Sequence, residues 1–301
     1  MRWRLACRAG PSPGQKGTLM NRTVRGLAGA VCGLAAAGLA ALGLAGPAGV
    51  AAGGDHGVIH VVHVAGGKAG TNQSNNWSGY NIGAAYPGEP TGVTFTAVSG
   101  QWTVPAATQH KAGEAEFSAS WLGIGGGCVT DTCSVTDNTL IQAGTEQDVS
   151  KAGKASYGAW WEIIPEPQTT VSLPVRPGNK IKVTIAQTST PGDWSIVIAN
   201  LTTGRRFAIT TPCSSSMDTA EWIEETPLII GTGGTGLAAM PNLGTVHFTS
   251  ATLNGANPSY HPVDEMQLVT SSGTVVATPS APGPTLNSFN DCIWKTACAA
   301  P

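Results

Sequence analysis

The stretch TLIQAGTEQDVSKAGKASYGAWWEII, residues 139–164, indicates the fold class of this 301-residue chain. It holds two runs, 139–149 and 156–164, that are rich in β-branched and aromatic residues and are separated by a short segment containing glycine. Such runs are typical of β-strands bounded by turns, and helical periodicity is nearly absent. The stretch therefore predicts two β-strands.

The same pattern continues along the chain from residue 76, with runs at a spacing of about ten residues. Further strands are predicted at 93–104, 117–124, 180–187, 194–201, 219–225, 245–253 and 265–270. The 40 glycines and 20 prolines favour a turn-rich antiparallel protein over a helical one. The chain is long enough for one large β-sandwich or two small domains, and this spacing favours a single sandwich over residues 73–280.

Charge is sparse along the chain. Charged residues make up 11% of it, the formal net charge is −2, and the 16 lysines and arginines form no dense run. This composition argues against a nucleic acid partner. A surface with few ion pairs also loses little when carboxylates are protonated, which is compatible with function in acid.

Residues 1–52 are predicted to be a signal peptide for export, with the probable start at Met20. A short basic segment follows Met20, an apolar stretch covers 27–44, and a small-residue cleavage site ends at Ala52. A membrane anchor is the alternative, but glycine and alanine make the apolar stretch only weakly hydrophobic. We therefore expect a secreted, extracellular protein that is not bound to a membrane after signal removal.

Residues 53–72 are predicted to be a leader or propeptide, because they are rich in glycine and contain His56, His60 and His63 with little apolar pattern. These histidines could bind a metal, but no His-Glu-x-x-His motif supports a metal site, and none is predicted. Residues 281–301 are predicted to be a proline-rich tail that two cysteines fasten to the body.

Five cysteines follow the signal peptide. Two short-range disulfides are predicted, Cys128 with Cys133 and Cys292 with Cys298, which leaves Cys213 over. A structural zinc site is the alternative, but no spacing resembles its paired Cys-x-x-Cys pattern.

Three polar residues occur inside strongly apolar runs: Gln142, Glu162 and Glu221. The signatures of serine hydrolases, pepsin-like aspartic peptidases and phosphate-binding loops are absent from the sequence. Because side chains alternate along a strand, the three residues would converge if their strands adjoin, although each could instead face solvent. Four tryptophans lie beside them in the sequence, which is typical of a cleft that binds a polymer, either peptide or sugar; they are Trp121, Trp160, Trp161 and Trp222.

Several motifs resemble, in order and spacing, those of the glutamic peptidases, or eqolisins, over most of residues 75–275. They are NWSGY (76–80), WTVP (102–105), WLGI (121–124), LIQAG (140–144), YGAWWE (157–162), IKVT (181–184), ANLTTG (199–204) and TAEWIE (219–224). The resemblance is closer to a bacterial branch of the family than to the fungal members. It implies an all-β fold, a concanavalin A-like or lectin-like sandwich of two bent antiparallel sheets, with the active site on the concave face.

The resemblance also implies the site residues. Gln142 and Glu221 match the family's catalytic pair, Trp121 matches its cleft tryptophan, and Trp160 and Glu162 match residues of the same cleft. These residues imply a secreted acid endopeptidase that acts on polypeptides without a cofactor or metal.

One further position and two departures from the fungal pattern concern the acidic groups around the site. Glu146 stands where fungal members have an aspartate, and Gly125 and Gly158 replace two other aspartates of those members. Fewer acidic groups are therefore expected around the site than in the fungal enzymes. Separately, the sequence gives no sign of an oligomer, and a monomer is expected.

We predict that Gln142 and Glu221 lie on neighbouring strands, close enough to hold one water between them. Two other functions remain open on the same sandwich. One is a glycoside hydrolase that uses Glu162 and Glu221 as its two carboxyl groups. The other is a lectin-like module without catalysis.

Overall fold

The computed structural model describes residues 57–66, 72–231 and 234–301. The predicted signal peptide, residues 1–52, lies outside these ranges. Within them, regular helix is limited to one 3-10 turn, Pro262–Asp264, and no helix is long and apolar enough to span a membrane. The expectation of an all-β chain is confirmed for the described residues.

The strands are numbered along the chain. The first nine are β1 Gly57–Ile59, β2 Gln73–Ser74, β3 Trp77–Gly83, β4 Ala97–Thr103, β5 Ala119–Ile124, β6 Ile141–Val149, β7 Ala155–Ile163, β8 Thr169–Val171 and β9 Lys180–Gln187. The others are β10 Asp193–Asn200, β11 Arg205–Pro212, β12 Thr219–Glu225, β13 Leu228–Gly231, β14 Gly234–Leu237, β15 Thr245–Leu253, β16 Glu265–Val269, β17 Val275–Pro279 and β18 Phe289–Ile293. Each run that the sequence predicted to be a strand overlaps one of them.

The strands form one long antiparallel path that folds into two layers. Its order is β11-β10-β9-β4-β15-β18-β17-β16-β3-β12-β5-β6-β7-β8, with β2 beside β16, while β1, β13 and β14 form a small separate sheet. Two tryptophans connect the layers by hydrogen bonds. The Trp222 indole on β12 donates to the Ser99 carbonyl on β4 at 2.9 Å, and the Trp102 indole on β4 donates to the Thr145 hydroxyl on β6 at 2.9 Å. The predicted β-sandwich is therefore confirmed.

The main core lies between the two layers and follows from alternation along the strands. In β9, Ile181, Val183 and Ile185 are fully buried while the residues between them are partly exposed. Burying each such side chain contributes roughly 1.5–3 kcal/mol. Trp161 and Trp222 also pack into this core, so they do not line a cleft, and the interpretation of all four tryptophans as cleft residues is wrong for these two.

The central strands β3, β5 and β12 are buried on both faces. Their second face carries Trp77, Trp121 and Ile223, which form a smaller apolar cluster with Leu140, just before β6, and Trp160 of β7. Residues 57–66, which we call the leader segment, contact this face, as does the loop 125–133. The predicted site residues lie on this covered face.

Both predicted disulfides are present, Cys128–Cys133 and Cys292–Cys298. Cys213, which was expected to be left over, is also disulfide-bonded, so that expectation is wrong. The segment 281–301, predicted to be a tail, contributes β18 between β15 and β17. It is therefore part of the sandwich as well as fastened to it.

Candidate active site

Five residues from five adjacent strands form one row across the covered face. The strand register aligns them in the order Asn81 (β3), Glu221 (β12), Gly123 (β5), Gln142 (β6) and Glu162 (β7). Directly opposed residues of adjacent strands project to the same side of a sheet. The three polar residues that alternation grouped therefore do share one face.

Gln142 and Glu221 are not on neighbouring strands, so this prediction is wrong. Strand β5 lies between them and places Gly123 at the midpoint of the row. Since adjacent strands are about 4.8 Å apart, the two backbones are separated by roughly 9.6 Å. A Cβ atom on Gly123 would come within 3.0 Å of Leu140 and 3.1 Å of the Trp121 ring. Leu140 and Trp121 therefore pack over Gly123, and the backbone between the two polar residues leaves no room for a side chain at this position.

Glu221 is fully buried, and neither carboxyl oxygen has a hydrogen-bond partner among the described residues. Burial raises the pKa of this carboxyl well above its usual value, and the nearby Thr219 hydroxyl only partly offsets the effect. Asn81 beside it fixes the covering loop, because it accepts from the Cys128 N–H at 3.1 Å and donates to the Cys128 carbonyl at 2.9 Å. A Cβ on Gly127 in this loop would lie 2.7 Å from the Glu221 carboxyl, so the loop directly covers the acid.

Gln142 and Glu162 form a pair at the other end of the row. The Gln142 amide donates from Nε2 to Glu162 Oε2 at 3.1 Å, and both side chains are buried. The amide oxygen of Gln142 and Oε1 of Glu162 have no partner among the described residues. Burial raises the pKa of Glu162 to about 8 although the nearby His60 charge opposes the rise. The pair is therefore a hydrogen-bonded unit with unused acceptors.

The two predicted cleft tryptophans lie on the same face as the row and are fully buried. The Trp121 indole donates to Glu225 Oε2 at 2.8 Å, and its ring packs edge-on against Trp77 at 4.9 Å between centroids. Trp160 is stacked on the His60 ring at 3.8 Å with an interplanar angle of 7°. Both tryptophans thus contact polar or ionisable groups around the row.

Glu146 lies four residues after Gln142 on the same face and accepts from Gln168 Nε2 at 3.0 Å. It is opposite Gly158, where a Cβ would collide with the Glu146 carboxyl. The longer glutamate therefore occupies the space that a side chain at position 158 would need. At Gly125, φ is +90° and a Cβ would collide with the Thr139 carbonyl, so a side chain is excluded there. Both departures from the fungal pattern therefore have a steric reason.

Sequence reasoning missed Asn81, Gly123, Gln168 and Glu225. Alternation could have identified Glu225, since it lies four residues after Glu221 on the same face, and also Asn81, a polar residue between Tyr80 and Ile82. No local signal marks Gln168, which lies outside the strands. His60 was noted only as one of several leader histidines.

One group of potential metal ligands lies close together among the described residues. His63 Nδ1 is 3.7 Å from Cys128 Sγ and 3.6 Å from Cys133 Sγ. The two sulfurs are bonded to each other and therefore offer no thiolate. Burial lowers the pKa of His63 to about 4, so the ring is neutral at higher pH. The group is a buried histidine packed against a disulfide.

Comparisons with solved structures found proteins of similar fold. Scytalido-glutamic peptidase with a transition state analogue is 21% identical, with a TM-score of 0.55 over 73% of this chain and 98% of that one. SCP-B, an eqolisin in complex with the tripeptide Ala-Ile-His, is 19% identical, with a TM-score of 0.53 over 73% of this chain and 98% of that one. Aspergilloglutamic peptidase from Aspergillus niger is 28% identical, with a TM-score of 0.47 over 59% of this chain and 99% of that one.

A comparison with curated protein sequences gave no match. The sequence profile of the Peptidase A4 family matches residues 75–286, a span that includes every residue of the row. The chain therefore belongs to the Peptidase A4 family and is a glutamic endopeptidase.

Proposed function

We propose that the enzyme hydrolyses peptide bonds placed over Gly123, with Glu221 and Gln142 acting from opposite sides. We call these two residues the Gln–Glu pair. The observation that carries the proposal is the row itself, in which two buried polar side chains flank a residue without a side chain. Buried polar atoms nearly always have partners, so unpaired oxygens on both residues indicate that they act on groups from outside the protein.

Amide hydrolysis requires a nucleophile, stabilisation of the oxyanion and a proton for the leaving amine. Glu221, once ionised, takes a proton from a water that attacks the scissile carbonyl and returns this proton to the departing nitrogen. Gln142 donates an N–H to the oxyanion, and its amide keeps this donor at every pH. A single donor of this kind contributes on the order of 3 kcal/mol to lowering the barrier. These steps require no metal or cofactor.

The burial of Glu221 affects the pH range in which the enzyme can be active. Because burial raises the pKa of its carboxyl well above the usual value, the described state keeps this acid protonated in acidic solution. A general base must be ionised, and hydration of the face would lower the pKa towards its ordinary value. We therefore infer that activity in acid requires this face to open to water and substrate.

Polypeptide is the substrate class that the family implies, and the leader segment supports it. SCP-B was crystallised with Ala-Ile-His, and residues 58–60 of this chain, Val-Ile-His, end in the same two residues. Here His60 lies against Trp160 and close to Glu162, at the Gln142 end of the row. The covered face thus already accommodates a stretch of extended peptide.

The glycoside hydrolase alternative is disfavoured by the spacing of the row. Glu162 and Glu221 are three strands apart, so their backbones are separated by roughly 14 Å, with the Gln142 side chain between them. Paired carboxyl groups in glycoside hydrolases are about 5–9.5 Å apart. A glutamine between the two acids also has no role in that mechanism.

Casein digestion in acid, with pepstatin present to block pepsin-like enzymes, tests the proposal. Glu221→Gln should reduce the rate to background, whereas Gln142→Ala should cost roughly 100 to 1,000-fold in kcat. The double variant should lose little more than Glu221→Gln, because the two residues act as one unit. Glu166→Gln, at an exposed position, is the matched control and should retain the wild-type rate. Near-normal turnover of Gln142→Ala would rule out its role as oxyanion donor.

We also propose that the protein is exported, on the basis of the predicted signal peptide at residues 1–52. The disulfides Cys128–Cys133 and Cys292–Cys298, which lie outside the predicted signal peptide, fit an oxidising compartment. Expression of the full chain in a secreting bacterium should give protein in the medium that lacks the signal peptide, as N-terminal sequencing would show. Retention of all product in the cell with residues 1–52 attached would contradict export.

A further inference from the structure

His60 of the leader segment occupies a closed pocket beside the row. Its side chain is 1% exposed and is stacked on Trp160 at 3.8 Å. Nδ1 lies 2.7 Å from Glu225 Oε2, and Nε2 lies 2.9 Å from Gln168 Oε1. Trp160 therefore contacts one face of the imidazole ring, and both ring nitrogens have hydrogen-bond partners. We call Trp160, Glu162, Gln168 and Glu225 the histidine pocket.

The pocket is built for a positive charge. The Glu225 carboxylate from β12 pairs with the imidazole, and the Glu162 carboxyl from β7, whose pKa is raised to about 8, lies beside it mainly as the neutral acid in acidic solution. Burial alone would lower the pKa of His60, but the charge and hydrogen bond of Glu225, with smaller contributions from Glu162 and Gln168, raise it to about 9. The ring is therefore a cation across the acidic and neutral range. The stacked Trp160 adds a further attraction for a flat cation.

The pocket residues are also held by hydrogen bonds that do not involve the leader segment. Trp121 donates to the same Glu225 oxygen at 2.8 Å, and Glu146 accepts from Gln168 at 3.0 Å. Gln142 donates to Glu162, which joins the pocket to the Gln–Glu pair. These bonds hold the pocket residues in place from the protein side, so the face towards His60 is preorganised for a ligand.

The leader segment presents His60 as a bound peptide presents a side chain. Residues 57–59 form β1 and pair antiparallel with β13, so the backbone on the N-terminal side of His60 is extended. On its C-terminal side, Asn76 donates to the carbonyls of Val61 and Val62 at 3.3 and 3.2 Å. The His63 N–H then donates at 2.9 Å to the Gly126 carbonyl, in the loop that covers Glu221. The segment therefore lies beside the Glu162 end of the row and contacts the loop that covers Glu221.

We propose that the histidine pocket is a substrate subsite that takes a flat, positively charged side chain, histidine or arginine, and that His60 excludes substrate by filling it. This inference rests on the proposed function, because it names the side chain that the peptidase selects beside the scissile bond. The fully buried Gln–Glu pair agrees with it, since no substrate reaches these groups while the leader segment is in place. Activity then requires displacement of the leader segment.

Matched peptides test the subsite. The full chain is incubated in acid until its rate of peptide cleavage is constant. It is then given sets of peptides that carry histidine, arginine or glutamine at one position and are otherwise identical. Each set places this variable residue at a different position on either side of the scissile bond. At one position, kcat/KM for histidine or arginine should exceed that for glutamine by 10 to 100-fold, as a hydrogen bond to a charged group provides. Glu225→Gln should remove this preference, so that within this variant kcat/KM for the histidine and arginine peptides falls to that for the glutamine peptide. Its amide oxygen can still accept from Trp121, and cleavage of the glutamine peptide reports that the fold is intact.

The outcomes separate the subsite from the proposed function. If no peptide is cleaved, the proposed function fails. If the peptides are cleaved without any preference for histidine or arginine, or if Glu225→Gln keeps the preference, the subsite assignment is overturned and the function stands.

A second measurement does not need activity. In the intact, unprocessed chain, His60→Ala should speed amide hydrogen exchange in residues 57–66 by 10-fold or more, because the anchor of the segment is lost. Val64→Ala, which changes a side chain of the same segment that is 38% exposed, is the control and should leave exchange unchanged. Equal protection in His60→Ala and the wild type would show that the pocket does not hold the leader segment, and would overturn that part of the proposal.

Discussion

Replacing Asp291 with asparagine is expected to reduce the loss of stability between pH 4 and pH 8 by on the order of 4 kcal/mol. Asp291 lies in β18 and is fully buried between the two layers. The Ser78 hydroxyl on β3 donates to its Oδ1 at 2.8 Å, while Oδ2 has no partner among the described residues. A carboxyl in this position is tolerated as the neutral acid and is costly as the anion.

The magnitude follows from the pKa of this group. Burial raises the pKa of Asp291 from 3.8 to about 7, although the bond from Ser78 opposes the rise. Between these values the folded state keeps a proton that the unfolded chain has released. The free energy of unfolding is therefore highest below the unfolded pKa, falls as pH rises towards 7, and then levels off. At 1.36 kcal/mol for each pH unit between the two values, the loss is on the order of 4 kcal/mol.

Urea unfolding at pH 4 and pH 8 measures this effect. The quantity to compare is the change in free energy of unfolding between the two pH values, because any steric effect of asparagine cancels in that difference. Asp291→Asn should lose on the order of 4 kcal/mol less than the wild type. Asp131→Asn, at an exposed position, is the matched control and should follow the wild-type profile. Parallel profiles for Asp291→Asn and the wild type would refute the reasoning.

Three further substitutions test particular features of the fold and the site. Gly123→Ala should lower kcat on the order of 100-fold and also lower the melting temperature, because its methyl group would come within 3.0–3.1 Å of the Ile141 carbonyl, Leu140 and Trp121. Gly236→Ala, which meets open space, should have no effect, and wild-type kcat in Gly123→Ala would contradict the site geometry. Gly125→Ala should lower the melting temperature by several degrees, because φ is +90° and the new Cβ collides with the Thr139 carbonyl. A melting temperature equal to that of Gly236→Ala would contradict this account. Replacing Cys292 and Cys298 together with serine should cost on the order of 2 kcal/mol in urea unfolding, as expected for a disulfide that spans six positions, and an unchanged midpoint would show that the tail needs no covalent fastening.

The strands that alternation predicted are those with one face in the main core. In β9 and β10, buried and partly exposed residues alternate, so the sequence carries the pattern directly. The edge strand β11 was missed because most of its residues are exposed and show no apolar face. Strand β18 was missed because the prolines before it and the cysteine pair resembled an irregular tail. The alternation of apolar and polar residues therefore predicts a strand whose side chains are buried on one face. It does not predict a strand that is held mainly by backbone hydrogen bonds.

The site shows the same limit in another form. Alternation placed Gln142, Glu162 and Glu221 on faces, but it contains nothing about which strands are neighbours. Strand order depends on contacts between residues far apart in sequence, and this is why β5 and Gly123 were not expected between the Gln–Glu pair. The polar residues in apolar strands were a sufficient signal for the location of the site. Their order across the sheet needed the structure.

The unpaired oxygens of the row connect its structure to its activity. A buried acceptor without a partner costs about 1–3 kcal/mol, and Gln142, Glu162 and Glu221 all carry such atoms. The stacking and ion pair of His60 offset part of this cost while the leader segment covers the face. A peptide substrate with its attacking water supplies the donors that these oxygens lack, and it can fill the histidine pocket with its own cationic side chain. Substrate and leader segment therefore compete for one preorganised face, and only the substrate satisfies both the pocket and the Gln–Glu pair.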